Sequence, residues 1–239
     1  MTVIDVEGVN NVRDVGGMPA AGGRIRSGVL LRSGQLSTAT PRGAVALSEL
    51  VGHIVDLRDG EEVAAEPTEI AGPDTTHLPL FLGSVRSFFE ADTSLDDLYL
   101  HLLEESGERL VAAVRIIAVG HPTLVYCTVG KDRTGVTVAL ALAAVDADRE
   151  AIIADYALTE SQLPPERSQR IAAYLRSQHP EAVHAVALAT QSPAPVMRRL
   201  LERVDERWGS AADYLRANGL TDAELDALRA ALVEPADQG

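Results

Sequence analysis

Residues 125–135 read VYCTVGKDRTG and hold the only cysteine and the only lysine of the chain, Cys127 and Lys131. The apolar run Thr123–Cys127 leads into this segment and predicts a short buried strand. A second apolar run follows and predicts a helix that begins near Arg133. A strand, a tight loop and a helix N-terminus in this order direct backbone amides at one point, where they favour an anion.

The residue types of the loop suit a cysteine nucleophile that binds phosphate. The thiolate is the reactive form of cysteine, and helix N-termini with cationic neighbours lower cysteine pKa values from about 8.5. Arg133 offers a planar fork for two phosphate oxygens, and Gly130 allows a positive φ and close approach of the backbone to a ligand. The predicted phosphate contacts are Thr128, Val129, Gly130, Lys131 and Thr134, the last through a hydroxyl that can donate to the sulfur when it leaves.

Two other interpretations of the loop compete with a cysteine nucleophile. A Cys-x5-Arg spacing alone is equally typical of a buried cysteine at a strand end beside a surface arginine. A nucleotide-binding loop requires Gly-x4-Gly-Lys followed by Ser or Thr. Val125 occupies the first glycine position and Asp132 follows the lysine, so the nucleotide-binding pattern is not met.

Length and composition predict one soluble domain. The chain has 239 residues, 46% of them hydrophobic and 23% charged, enough to bury a sizeable core. One cysteine excludes an intramolecular disulfide. A net charge of −14 argues against a nucleic-acid partner. The first twenty residues are interrupted by charges and predict no signal peptide, so we expect a cytoplasmic protein, or one exported without such a peptide. No apolar run is long enough for stable membrane insertion.

The pattern along the chain predicts an α/β fold with a mostly parallel central sheet flanked by helices, as one domain over 1–239. Short apolar runs predict strands at Val29–Arg32, His53–Leu57 and Thr76–Leu80. Helices are predicted from Thr40-Pro41 to about Val51 and, as one long element, from Ser94 to about Val119. From Arg133 onward the chain is predicted to be entirely helical. Residues 155–197 form a helical insertion within this domain.

The residues of this loop and of several other stretches resemble those of a known family. CTVGKDRTG resembles the active-site loop of cysteine-dependent protein tyrosine phosphatases, and more narrowly the bacterial tyrosine-phosphatase B group, whose loop reads Cys-x-x-Gly-Lys-Asp-Arg-Thr. Further similar stretches span most of the chain: Asn11–Gly17, Leu31–Gly34, Asp56–Arg58 and Gly209–Leu228. Two residues depart from the family pattern. Tyr126 stands where the family usually has His, and Asp59 stands where a small polar residue is expected.

The resemblance implies a role for each loop residue. Cys127 attacks phosphorus and forms a phosphocysteine intermediate, while Arg133 and the loop amides stabilise the phosphoryl oxygens. Asp132 is the expected general acid, with orientation of Arg133 as the alternative role. Lys131 can approach a second phosphate or an inositol head group. Three acidic residues lie about where other phosphatases carry an aspartate loop, although they are also typical of a solvated helix start: Asp92, Asp96 and Asp97.

Outside the loop, some residues allow both a functional and a structural role. Asp56, at a strand end, either faces the pocket or only positions the loop. Arg13, Asp14 and Arg58 are expected to be structural, in buried ion pairs. For the insertion 155–197, core packing and a helical lid over the active site remain open, the lid being suggested by the resemblance.

The implied activity is hydrolysis of phosphotyrosine, with phosphoserine, phosphothreonine and phosphoinositides as further substrates, by a monomer. No cofactor or metal is expected, since the six histidines are scattered without ligand spacing. A non-catalytic phosphate-binding module is the alternative from another class. Sulfur transfer through a persulfide on Cys127 is a lesser one.

Overall fold

A twisted sheet forms the centre of the protein in the computed structural model, which describes residues 1–80 and 91–236. Within these residues the sheet has six strands. They are numbered in chain order together with the three strands of a separate, smaller sheet. Across the sheet they run β1 (Thr2–Val3), β2 (Arg13–Asp14), β5 (Leu30–Ser33), β8 (Thr123–Tyr126), β6 (His53–Asp56) and β7 (Asp74–His77).

The four strands β5, β8, β6 and β7 are parallel, and β1 and β2 join them antiparallel at one edge. Ser33 pairs with Tyr126, which pairs in turn with Asp56, so these three strands end at the same level. The loops that follow them therefore meet at one edge of the sheet, with the loop after β8 in the middle. The mostly parallel sheet predicted from the sequence is confirmed.

Helices cover both faces of the sheet. The larger core holds Val125, Cys127 and most of the helix that follows them, while Leu124 and Tyr126 belong to a smaller core on the other face. In the described residues the helices are α1 (Pro41–Leu50), α2 (Gly60–Ala65), α3 (Leu95–Glu105), α4 (Gly107–Ala118), α5 (Asp132–Ala143), α6 (Arg149–Gln162), α7 (Pro165–Gln178), α8 (Ala185–Thr190), α9 (Ala194–Trp208), α10 (Ala211–Ala217) and α11 (Asp222–Leu232).

Two elements differ from the sequence prediction. The single helix expected from Ser94 to Val119 is broken at Ser106, whose buried hydroxyl donates to the Leu80 carbonyl. The prediction that the chain is entirely helical after Arg133 is wrong at its end. Val233–Pro235 (β9) pairs with Gly23–Ile25 (β4), which also pairs with Pro19–Ala20 (β3), in a second, small sheet. Short strands of this kind depend on a distant partner and leave little local pattern.

The predicted insertion 155–197 begins inside α6, on a face that is packed into the core. Asp155, Tyr156 and Thr159 are all buried there. Beyond α6, helices α7 and α8 bury Leu175 and Leu188, but Tyr174 is 62% exposed and Val183 78% exposed. The chain after Gln162 is therefore less deeply packed than α6, although Leu188 of α8 still belongs to the larger core, and α9 returns fully to that core. None of the helices in the described residues is long and apolar enough to cross a membrane.

A buried ionic cluster ties α6 to the sheet. Arg13 Nε donates to Asp155 Oδ1 at 2.6 Å, and Arg32 Nη1 donates to Asp155 Oδ2 at 2.5 Å. Both side chains of each pair are almost entirely buried. Burial opposes ionisation of Asp155, but the charges of Arg32 and Arg13 and their hydrogen bonds outweigh it and lower the pKa of Asp155. Burial, together with the charge of Arg32, lowers the pKa of Arg13 to about 10.

We expect Asp155→Asn to destabilise the protein strongly. The amide keeps the shape of the carboxylate but leaves two buried guanidinium groups without a counter-charge, which costs about 3–5 kcal/mol. Urea unfolding followed by circular dichroism measures the loss. Asp205→Asn is the matched control, because Asp205 pairs with Arg149 at a half-exposed site and such pairs contribute less than about 1 kcal/mol. Equal losses in the two variants would contradict the structural role of the cluster.

The Asp155→Asn substitution should also change how the unfolding free energy depends on pH in the acid range. The folded pKa of Asp155 lies below its unfolded value, so its contribution is fully present above the unfolded pKa and is lost as the pH falls through the folded one. Asp155→Asn should therefore flatten the fall in unfolding free energy below about pH 4. Urea unfolding between pH 7 and pH 3 checks this.

Candidate active site

The loop between β8 and α5 is held by its carbonyl groups. The backbone amide of Gln35 donates to the Thr128 carbonyl at 3.1 Å. Asn11 Nδ2 donates to the Val129 carbonyl at 3.1 Å, and Arg32 Nη2 donates to the Gly130 carbonyl at 2.8 Å. Among the residues described, none accepts a hydrogen bond from the amides of Thr128, Val129 or Gly130. These amides, with those of the first turn of α5, are available to an anion.

Gly130 is required by both its backbone angle and its surroundings. Its φ is +71°, in the left-handed region that favours glycine. A methyl group on its Cα would lie 2.1 Å from the Ser33 carbonyl oxygen, which is backbone and cannot move aside. The loop can therefore pack against the end of β5 only with glycine at this position.

Arg133 is held by an acidic residue that the sequence analysis did not single out. Its Nη2 donates to Glu62 Oε1 at 2.8 Å, and its Nη1 donates to Glu62 Oε2 at 2.5 Å. Thr128 Oγ1 also donates to Glu62. Burial opposes ionisation of Glu62, but the hydrogen bond and charge of Arg133, with the Thr128 contact, lower the pKa of Glu62 to about 2. Burial disfavours the charged guanidinium, yet Glu62 raises the pKa of Arg133. Arg133 thus remains charged and fixed in orientation.

Asp59, one of the two departures from the family pattern, builds the short helix that carries Glu62. Its side chain accepts from the Glu62 amide at 2.8 Å, and the Glu62 carboxylate accepts from the Asp59 amide at 2.9 Å. This reciprocal pair is a capping box. Asp59 therefore positions Glu62 toward Arg133.

Cys127 lies at the start of the loop and is 3% exposed. Thr134, on the first turn of α5, is buried as well, and its hydroxyl has no hydrogen-bond partner in the part of the chain that the structure describes. A buried hydroxyl without a partner is costly. It is thus available to donate to an anion held by the loop.

Tyr126, the other departure, points away from the thiol. Successive side chains of a strand face opposite sides of the sheet, and Tyr126 lies in the smaller core whereas Cys127 lies in the larger one. Its hydroxyl donates to Asp56 Oδ2 at 2.6 Å and accepts from Arg58 Nη2 at 2.9 Å. Burial, then Asp56, raises the pKa of the Tyr126 hydroxyl.

Asp56 does not reach the inner side of the loop. Its carboxylate accepts from Arg58 Nε at 3.0 Å and from Arg58 Nη2 at 2.7 Å, in addition to the Tyr126 contact. In the structure the Asp56 carboxylate is thus engaged by Arg58 and Tyr126, and its contact with a bound phosphate stays a prediction. The expectation that Arg13 and Arg58 form buried ion pairs is met, while Asp14 accepts from the amides of Gly16 and Gly28.

Asp132 is oriented by a chain of tyrosine hydroxyls. Tyr99 donates to Asp132 Oδ1 at 2.9 Å, and the hydroxyls of Tyr99 and Tyr156 lie 2.7 Å apart. Lys131 Nζ approaches the same Oδ1 at 3.3 Å. Oδ2 accepts no hydrogen bond from any described residue, so it is the oxygen available to a ligand.

Lys131 is placed differently from the sequence prediction. Its ammonium group is 1% exposed and donates to the Leu188 carbonyl at 2.6 Å and the Gln191 carbonyl at 2.9 Å. These carbonyls belong to the C-terminal end of α8, where cations are favoured. In this conformation Lys131 joins the loop to α8 rather than meeting a second phosphate.

The three acidic residues at the start of α3 form hydrogen bonds and ion pairs with other surface groups. Asp92 accepts from the amides of Val183 and His184 at 2.8 and 2.7 Å, which attaches it to the segment before α8. Asp96 pairs with Arg199, and Asp97 accepts from Ser94. The structure does not bring them to the loop.

Sequence reasoning missed Glu62 and Tyr99. The capping box Asp59-x-x-Glu62 was readable as a helix start, but its contact with Arg133 joins residues 71 positions apart. Tyr99 lies among the buried apolar positions of α3, and a buried tyrosine hydroxyl usually has a partner. Within residues 1–80 and 91–236, no group of three or more His, Cys, Asp or Glu residues is arranged to hold a metal ion.

Comparison with known proteins gives matches over nearly the whole chain. The profile of the tyrosine phosphatase family matches residues 4–234. Triple specificity protein phosphatase PtpB of Mycobacterium tuberculosis is 28% identical over 279 residues, which cover 98% of this chain and all of that protein. A protein of Cupriavidus necator that carries the name of a tyrosine-protein phosphatase is 29% identical over 227 residues, covering 87% of this chain and 81% of its own.

Among solved structures, that of Pseudomonas aeruginosa TpbA covers 71% of this chain and 90% of its own. Its sequence identity is 17% and its TM-score 0.38, too low for an argument about this chain.

We expect Lys131→Met to loosen α8. The variant removes two charge-assisted hydrogen bonds to buried carbonyls, each contributing about 1.5–3 kcal/mol. Hydrogen exchange of amides in 185–192 should accelerate about 10²- to 10⁴-fold, while α11 stays unchanged. Arg176→Met, an exposed cation near the end of α7, is the control. Unaltered exchange of 185–192 in Lys131→Met would show that the contact does not hold α8.

Proposed function

The chain belongs to the tyrosine phosphatase family, and from that premise we propose that it hydrolyses phosphotyrosine through a phosphocysteine intermediate on Cys127. The observation that carries this proposal is the arrangement of the loop. Its carbonyls are bound from outside by Gln35, Asn11 and Arg32, which leaves its amides for the three non-bridging oxygens of a phosphoryl group.

In the first step the Cys127 thiolate attacks phosphorus, the P–S bond forms and the bond from phosphorus to the tyrosine oxygen breaks. Arg133 and the loop amides hold the phosphoryl oxygens, whose charge they stabilise in the transition state. Glu62 keeps the guanidinium oriented before substrate binds. In the second step water attacks phosphorus, the P–S bond breaks, and Thr134 donates its hydroxyl to the departing thiolate.

Asp132 is our candidate for the general acid. In the first step it gives its proton to the tyrosine oxygen, and in the second it takes a proton from the attacking water, so the cycle closes. The support is its position next to Arg133 and its unoccupied Oδ2, while Tyr99 fixes Oδ1.

We extend the proposed substrates from phosphotyrosine to phosphoserine, phosphothreonine and phosphoinositides. The support for this extension is the relative whose name is a triple specificity phosphatase. A contact between Lys131 and a second phosphate requires the ammonium to leave the Leu188 and Gln191 carbonyls first. The protein acts as a monomer on phosphoprotein or phosphoinositide, in the cytoplasm or after export.

Residues 163–193 form a helical lid in this proposal, narrower than the predicted 155–197 because α6 belongs to the core. Lys131 and Asp92 hold the segment around α8 from two sides. A lid would shield Cys127, which has no second cysteine with which to trap its oxidised form as a disulfide. The amide-exchange experiment on Lys131→Met tests the contact on which this lid depends.

We expect Cys127→Ser to abolish phosphate release. Removing the nucleophile should lower kcat by about 10⁴-fold or more, as seen when an essential nucleophile is replaced. Phosphate release is measured with phosphotyrosine peptides, phosphoserine peptides and phosphoinositides side by side. If the wild-type protein binds phosphate yet releases none from any of them, the chain is a phosphate-binding module and the proposed hydrolysis is wrong.

Asp132→Asn should separate the two roles offered for this residue. A general acid contributes about 10²–10⁴-fold with tyrosine, whose hydroxyl is a weak acid and a poor leaving group. With an aryl phosphate that has an acidic leaving group, the loss should be much smaller. Steady-state kcat for phosphotyrosine and p-nitrophenyl phosphate provides the ratio. Equal losses with both substrates would assign Asp132 to orienting Arg133 instead.

A further inference from the structure

A cavity of about 520 Å³ lies beside the phosphate loop and contains none of the proposed catalytic residues. One part of its wall is formed by Thr128 and Val129 of the loop. Another part is formed by the start of α7 and the residues just before it. The volume falls within the range of small-ligand sites and exceeds what a single phosphate group fills.

Two arginines on α7 line this cavity. Arg167 and Arg170 are three positions apart and therefore on one face of the helix. Neither forms an ion pair with any residue that the structure describes. The Nη1 atom of Arg167 is closed off from solvent and has no hydrogen-bond partner there. A buried donor in this state is unfavourable. Arg167 also lines the cavity, where its side chain can bind an anion.

The N-terminal end of α7 adds a partial positive charge beside these two arginines. Pro164 provides no side-chain cap, Pro165 has no amide hydrogen, and the Arg167 amide donates to the Pro164 carbonyl, which leaves the Glu166 amide without an acceptor among the described residues. Burial, and then the charge of Arg170, lowers the pKa of Arg167, as expected for two cations without a counter-ion. Repulsion between them would be relieved by a shared anion.

Two carboxylates also line the cavity, and they limit where an anion can lie. Glu66 Oε2 already accepts from Gln35 at 2.6 Å and from Ser37 at 3.0 Å, so this carboxylate is engaged by neutral donors. Glu166 is exposed in the first turn of α7. The favourable position for an anion is therefore next to Arg167 and Arg170.

We propose that this cavity is a second anion subsite, in which Arg167 and Arg170 bind a phosphate or carboxylate carried by the same peptide as the phosphotyrosine. The proposal rests on the proposed function for the chemistry at Cys127. Val129 is two residues from Cys127, at most about 7 Å along the chain. The cavity therefore begins close enough to Cys127 for a substrate peptide to extend from the nucleophile into it.

The lining favours a peptide over a lipid head group. Asn10, Gln35 and Thr38 provide polar groups, and Leu163 and Ile171 provide apolar surface, as a peptide segment requires. Recognition of an anionic membrane instead needs a cationic surface around the site. Here two carboxylates line the cavity, and the chain carries a net charge of −14.

The test compares two peptides of one sequence, the first with phosphotyrosine alone and the second with an added phosphoserine two or three residues away. The wild-type protein should show a kcat/KM about tenfold higher for phosphotyrosine in the second peptide. Arg167→Met/Arg170→Met should lose this preference and keep its kcat/KM for the first peptide and for p-nitrophenyl phosphate. Arg176→Met, near the other end of α7, should retain the preference.

Three results would overturn the subsite. They are an equal loss with all substrates, a preference that survives the double substitution, and, when phosphoinositide vesicles are assayed beside the peptides, an effect of the double substitution on the vesicles alone. Calorimetry in a Cys127→Ser background gives a readout without turnover, so that failure of hydrolysis does not affect it. There the doubly phosphorylated peptide should bind about tenfold more tightly than the singly phosphorylated one, and the double arginine substitution should remove the difference.

Discussion

The carboxylate of Asp155, bound between the buried guanidinium groups of Arg13 and Arg32, is the contact on which the rest of the site depends. Arg32 also donates a hydrogen bond to the Gly130 carbonyl, and Arg13 also donates one to the Asn11 side chain. The Asn11 side chain in turn donates to the Val129 and Gly130 carbonyls. One helix thus fixes the phosphate loop through two strands. Buried charges are tolerated only when each has its partner. The loop therefore takes its shape from a network outside its own sequence.

The elements around the loop were predictable because their signals are local. A strand, a glycine and an apolar helix follow each other within about twenty residues, and Thr40 and Ser94 cap helices at the starts predicted for them. The pairs that complete the site were not predictable. Glu62 with Arg133, Tyr99 with Asp132 and Lys131 with Leu188 join residues 33 to 71 positions apart. Each side chain had several possible partners, and only the packing of the helices selects one.

The electrostatics of the site differ from those of the whole molecule. A net charge of −14 repels an anionic substrate at long range, although salt screens charges beyond about 8 Å under physiological conditions. Inside the site both cations of the loop have protein partners, Arg133 with Glu62 and Lys131 with the end of α8. The attraction for phosphate therefore comes largely from oriented amides and from a guanidinium whose direction is already set, both of which act at short range.

The single lysine has a practical consequence. Apart from the N-terminus, the Nζ of Lys131 is the only primary amine of the chain, and it is buried against two carbonyl groups of the α8 segment. An amine-specific acylating reagent can reach it only in molecules where those contacts have separated. Acylation at this one position thus labels the separated form of the native, unmutated protein. Its rate, followed by mass spectrometry, reports how often the segment moves away from the loop and whether a bound phosphopeptide changes that frequency.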